Sequence, residues 1–278
     1  MTSVLRMAEP ADGVAEITID APPLHLVDGA FIGALTGLLD TWDAADDASR
    51  PRVAVWRSAD PDFFLMHGDV AALVRVPAGE RPPPQAPNPA AAVLERLRCS
   101  PVVTIGVLDG AARGGGAEFL TALDLRYGTS RSVVGWPEVA MGILPGSGGT
   151  ARLPRILGRA ATLELLLTAG DLTGDQAHAR GWLQAVVAPD DVLGHARDVA
   201  RRIAAMPAPA IAAVKAVVDE SLPPVAPALL AESRALSALM AAGEHTAPMR
   251  RFLEAGGQTR TGELNRWDAL MEAMLRQT

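Results

Sequence analysis

Gly114-Gly115-Gly116-Ala117-Glu118 lies between an apolar run, Val102 to Leu108, and a helix-like run, Ala117 to Leu125. A strand entering a glycine turn and leaving as a helix is the reading that decides the fold, because it makes the chain α/β. Glycine lets a ligand approach the backbone and permits φ values that other residues avoid. N–H groups in the first turn of a helix have no intrahelical partner and attract developing negative charge. Pro137-Glu138 and Gly146-Ser147-Gly148-Gly149-Thr150 follow closely. The region therefore combines unpaired N–H groups with two carboxylates, Glu118 and Glu138. On the glycines alone, a tight crossover with close strand–helix packing is the favoured explanation.

Working outward, Val14 to Asp20 alternates as an opening strand. Asp28 is placed to cap a helix whose apolar face is Phe31, Leu35, Leu38, Leu39 and Trp42. Val53 to Trp56 and Pro101 to Leu108 read as strands, and Asp124 to Tyr127 begins another. Six prolines between Val76 and Ala90 exclude a helix or central strand there, leaving a lid or an inert surface loop. Leu193 to Met206, Pro209 to Asp219 and Pro224 to Ala242 are helical in pattern, and residues 264–275 carry an apolar stripe. The expected division is an α/β core over 1–192 and a helical region over 193–278.

The 278 residues carry 49% apolar and 21% charged side chains, which fits a globular protein with a sizeable core. A formal net charge of −7 and the lack of a basic block argue against a nucleic-acid surface. One cysteine, Cys99, excludes an intrachain disulfide and reads as a small buried residue. The five scattered histidines suggest no metal site, and no Gly-x-Ser-x-Gly elbow appears. The amino-terminal stretch lacks a signal-peptide core and no segment reaches membrane-spanning length, so the expected location is the cytoplasm, away from membranes.

Several ordered segments resemble the crotonase superfamily, the enoyl-CoA hydratase/isomerase group. They are Phe64 to Asp69, Val103 to Phe119 and Gly135 to Thr150, continued by Arg152 to Gly158, Leu165 to Gly170 and Ala177 to Leu183. The resemblance implies a spiral of repeated ββα units with a C-terminal helical domain, assembled as a homotrimer or hexamer. It also implies an acyl-CoA substrate, no separate cofactor, and two N–H groups that bind the thioester oxygen, here those of Met66 and Gly115. By the same match, Glu118 and Glu138 are the catalytic pair, and the implied activity is lyase chemistry of the kind used in fatty acid metabolism. His67, Gly114, Trp136, Pro137 and Gly146 are candidate pocket residues.

Hydration of a 2,3-enoyl thioester needs a base for water and an acid for C2, which two neighbouring carboxylates supply when one retains a proton. A structural salt bridge to Arg113 or Arg152 is the competing explanation for either glutamate. Where the family has a small residue and then glycine, this chain has Met66 and His67, followed by Gly68. Their side chains are expected to crowd the thioester, or His67 to serve as an extra acid or base, or to lie on the surface. An isomerase, a thioester hydrolase or decarboxylase, and a non-catalytic subunit of the same fold remain the alternatives.

Overall fold

The computed structural model describes residues 4–276. Residues 1–3, which begin the amino-terminal stretch, and residues 277 and 278 lie outside the described residues.

The chain opens with a hairpin, β1 (Leu5–Ala11) and β2 (Val14–Ile19), of which the sequence reading contained only the second strand. Helix α1 (Gly29–Ala44) follows, and its Asp28 cap accepts the Phe31 N–H at 2.9 Å. Phe31, Leu35, Leu39 and Trp42 are buried, as a 3.6-residue period requires.

The next strands alternate between two sheets. β3 (Val53–Ser58) lies in the first and β4 (Phe63–Leu65) in the second, before the short α2 (Val70–Leu73) and α3 (Pro89–Cys99). β5 (Val103–Leu108) and β6 (Ala111–Arg113) repeat that step and return through α4 (Gly115–Ala122). β7 (Leu125–Gly128) and β8 (Val133–Gly135) repeat it again, before α5 (Gly149–Leu157) and α6 (Arg159–Thr168). These are the repeated ββα-like units. β9 (Asp171–Thr173), α7 (Gly174–Ala179) and β10 (Ala185–Val186) complete a six-stranded sheet, β1-β2-β3-β5-β7-β10, and a four-stranded sheet, β4-β6-β8-β9. Pairing is parallel except at β1–β2 and β8–β9.

Gly116 shows why α4 needs glycine: a Cβ there would stand 1.8 Å from the Leu65 carbonyl oxygen. Strand β4 and the first turn of α4 thus touch backbone to backbone.

Among the described residues only helices follow β10: α8 (Val192–Ala204), α9 (Ala208–Glu220), α10 (Ala226–Ala242), α11 (Thr246–Glu254), α12 (Arg260–Asn265) and α13 (Trp267–Leu275). Val192, Ala196, Ala200 and Ala204 of α8 pack on the first sheet. The terminal stripe is split between α12 and α13, and Leu270 and Met274 pack with Met249 and Phe252 of α11 within the same chain.

The proline-rich stretch ends sooner than its composition suggests. Asn88 caps α3 and Pro89 occupies its first turn, where a missing N–H costs nothing. The remainder is a strap on α10. The Gly79 N–H reaches Ala241 O at 2.9 Å, Arg234 Nε reaches Pro84 O at 3.0 Å, and the Asn88 N–H reaches Ser233 Oγ at 3.0 Å. Cys99 corrects another expectation. It is exposed at the end of α3, with its thiol 3.4 Å from Glu95 Oε1.

Candidate active site

Glu118 lies in the first turn of α4 and is 2% exposed. Its Oε1 accepts the Ser147 and Gly149 N–H groups, both at 2.7 Å. Between them, the Gly148 N–H donates to Glu232 Oε1 at 2.6 Å. Three successive N–H groups at the start of α5 thus alternate between two buried carboxylates. The glycine run lets the N-terminal end of α5 donate to a carboxyl oxygen on each side.

Glu138 opens a short 3-10 turn, Glu138–Met141, and its Oε2 is buried without a partner. Gly114 separates it from His67: a Cβ on Gly114 would lie 2.9 Å from Glu138 Oε1 and 2.9 Å from His67 Cβ. At φ +53 this position also favours glycine by conformation. The suggested salt bridges do not form. Arg113 pairs with Asp171 at 2.7 Å and Arg152 with Glu95 at 3.0 Å.

Glu118 and Glu138 line one cavity of about 200 Å³ together with His67, Gly68, Gly115, Pro137, Gly146 and Ser147. Its remaining wall is mainly aliphatic, including Val27, Ile143, Leu236 and Met240. A larger hollow of about 740 Å³ lies beneath α9. The cations on its wall are already engaged, Arg98 by Asp219 and Lys215 by Asp124.

Burial pushes Glu118 well above the ordinary carboxylate range, and the charges of Glu138 and Glu232 add to that. Burial also raises Glu138 to about 7, with the positive charge of His67 acting in the opposite direction. Buried carboxylates that disfavour ionisation keep a proton near neutral pH, and two such groups together share one.

Three sequence expectations change here. The Met66 N–H donates to His25 O at 2.8 Å, and its side chain packs with Leu24, Phe63 and Ala111 away from the cavity. Met66 is therefore neither a free donor nor a crowding group. The Val27 N–H meets His67 O at 3.1 Å, one residue later than a regular parallel ladder continuing from Met66 would place it. That slip turns the Gly68 N–H off the ladder, and Gly68 lines the cavity.

His67 is buried, with Nδ1 2.8 Å from Gly68 O and Nε2 2.9 Å from Glu263 Oε1. With an acceptor at each ring nitrogen, it has no free nitrogen to exchange protons with a substrate. Trp136 is fully buried against Trp182, with ring centroids 5.9 Å apart, so it belongs to the core. Glu232 and Glu263 escaped the sequence reading. Neither lies within a recognisable motif.

A buried carboxylate pair beside unpaired helix-start N–H groups is equipped for proton transfer next to a stabilised oxyanion. The chain matches the family model described as Enoyl-CoA hydratase/isomerase over residues 9–260. A solved structure assigned as an enoyl-CoA hydratase from Streptomyces avermitilis is 35% identical, with a TM-score of 0.86 and 99% of each chain covered. The chain belongs to the enoyl-CoA hydratase/isomerase family, the crotonase superfamily, and is an enzyme of that type acting on a CoA thioester.

The human mitochondrial enoyl-CoA hydratase domain-containing protein 2 is 32% identical over 208 residues, covering 72% of this chain and 68% of that protein. The glyoxysomal fatty acid beta-oxidation multifunctional protein MFP-a of Cucumis sativus is 32% identical over 187 residues. The match covers 67% of this chain and only 25% of that protein's length. Among the described residues no helix is long and apolar enough to cross a membrane.

Proposed function

We propose that the protein hydrates short 2,3-enoyl-CoA thioesters. The observation that carries this reading is the Glu118–Glu138 pair in one small apolar cavity with the Gly68 and Gly115 backbones. Ionised Glu138 takes a proton from water as the water oxygen adds to C3. Electrons of the double bond move toward the thioester carbonyl, giving enolate character on its oxygen. The Gly68 and Gly115 N–H groups stabilise that oxygen, a well-aimed donor being worth about 3 kcal/mol. Protonated Glu118 then delivers its proton to C2, and the proton that Glu138 took from water passes to Glu118, returning the pair to its starting state. The sequence expectation of Met66 as the first donor is replaced by Gly68.

Chain length follows from volume. A cavity of about 200 Å³ is smaller than the roughly 300–1,000 Å³ that accommodates drug-sized ligands. Hydration is therefore expected to be fastest on crotonyl-CoA and to fall along a series to octenoyl-CoA. Met240→Ala removes wall volume and is expected to raise the octenoyl-to-crotonyl ratio of kcat/KM about tenfold, within the range one methylene contributes. An unchanged ratio places the acyl chain elsewhere and rejects the assignment of this wall.

Assembly as a trimer or hexamer is part of the same proposal. Its support moves from the terminal stripe, which packs in its own chain, to α9. That helix has no buried residue and exposes Val214, Val217 and Val218. A monodisperse monomer at micromolar concentration in sedimentation equilibrium contradicts the assembly proposal alone.

A further inference from the structure

The turn that precedes α12 grips the segment carrying Gly68 at several points. Gln258 Oε1 accepts the Val70 N–H at 2.8 Å, while its Nε2 donates to Asp69 Oδ1 at 2.9 Å. Gln258 does this from φ +58, a conformation that non-glycine residues seldom hold unless their surroundings fix it. Arg260 pairs with Asp60 at 2.5 Å and also with Asp62, on the approach to β4. Glu263 Oε1 accepts both His67 Nε2 and the Gln258 N–H, at 2.9 and 3.0 Å, and its Oε2 is buried without a partner.

His67 passes this hold to the cavity. Its Nδ1–H donates to Gly68 O, while the His67 carbonyl accepts the Val27 N–H. Both peptide groups flanking Gly68 are thereby fixed, and a trans peptide whose carbonyl is held has its N–H direction held as well. Two acceptors at the ring require both nitrogens to carry protons, which makes His67 an imidazolium.

We propose that Gln258 and Glu263 are positioning residues of the active site, holding the Gly68 N–H toward the cavity and fixing a positive charge at His67 behind Glu138. The inference rests on the roles given above to Gly68 and Glu138. His67 faces Glu263 from α12, Glu138 from the 3-10 turn, the Gly68 carbonyl and the Phe252 ring of α11. Glu138 shares its surroundings with His67, Glu118 and Glu232, and Glu263 with His67 and Arg113. Burial alone would lower the His67 pKa, yet the hydrogen bond and charge of Glu263 raise it above the ordinary histidine value. Burial would likewise raise Glu263, and the His67 hydrogen bond and charge hold it below the usual range.

Glu263→Gln separates charge from geometry, because a glutamine can keep the contact with a neutral ring. In wild type, nitrogen-15 NMR is expected to show His67 doubly protonated at pH 8, and in Glu263→Gln neutral. Losing the positive neighbour raises Glu138, so the acid limb of the crotonyl-CoA pH–rate profile should move upward by about one unit with KM within threefold. Gln258→Ala and Glu263→Ala should lower kcat about tenfold or more and accelerate amide exchange across residues 64–72. A neutral His67 in wild type overturns the charge assignment, as does an unmoved acid limb in Glu263→Gln. Unchanged exchange in both alanine variants overturns the positioning role. If wild type does not hydrate crotonyl-CoA, the proposed function fails, while the nitrogen and exchange measurements still decide the inference.

Discussion

Glu118→Gln and Glu138→Gln are each expected to lower crotonyl-CoA hydration by about 10²–10⁴-fold, the usual contribution of a positioned acid or base. The same substitutions should not weaken the fold. Glu138 rises from an ordinary 4.5 to about 7 on burial. A folded-state pKa above the unfolded value gives stability that is intact below 4.5 and lost as pH rises toward 7. Integrated over that interval, the ionisable side chain costs about 3 kcal/mol at pH 8. Glu138→Gln should therefore match wild type in denaturant melts at pH 4.5 and exceed it increasingly up to pH 8. A variant uniformly less stable than wild type across that range would remove burial as the source of the shift. Full activity in either variant would remove that glutamate from the mechanism.

The second large effect is structural. Gly116→Ala puts a methyl carbon 1.8 Å from the Leu65 carbonyl oxygen, and both elements are backbone at that point. No side-chain rotation relieves such a contact. The expected loss is about 4 kcal/mol or more, of order 10 °C in melting temperature. Recovery of soluble protein melting within 2 °C of wild type would show that β4 and α4 are free to separate.

These two effects mark how far the sequence could be read. Glu118, Glu138 and the glycine turn sit in short, ordered motifs, and the capped α1 repeats its apolar side chains at helical spacing. All were legible because their signals are local. The second sheet was not: β4, β6, β8 and β9 have three residues each, too few for alternation to register. The assignment of Met66 failed because a one-residue slip beside Val27 decides which N–H leaves the ladder, and no residue type announces that slip. Trp136 sat next to Pro137 and Glu138 in sequence, but its ring turned into the core. Glu232 and Glu263 contact residues 84 and 196 positions away. On a helix pattern, each resembles an ordinary solvated acid.

The central claim concerns where water goes, and its oxygen can be followed. Crotonyl-CoA incubated with the enzyme in ¹⁸O-labelled water, with products read by mass spectrometry, distinguishes the reactions open to this scaffold. The expected product is 3-hydroxybutyryl-CoA carrying one labelled oxygen at C3, with the thioester intact. Free CoA with the label in a released acid, or a shifted double bond with no label, would contradict hydration through Glu118 and Glu138.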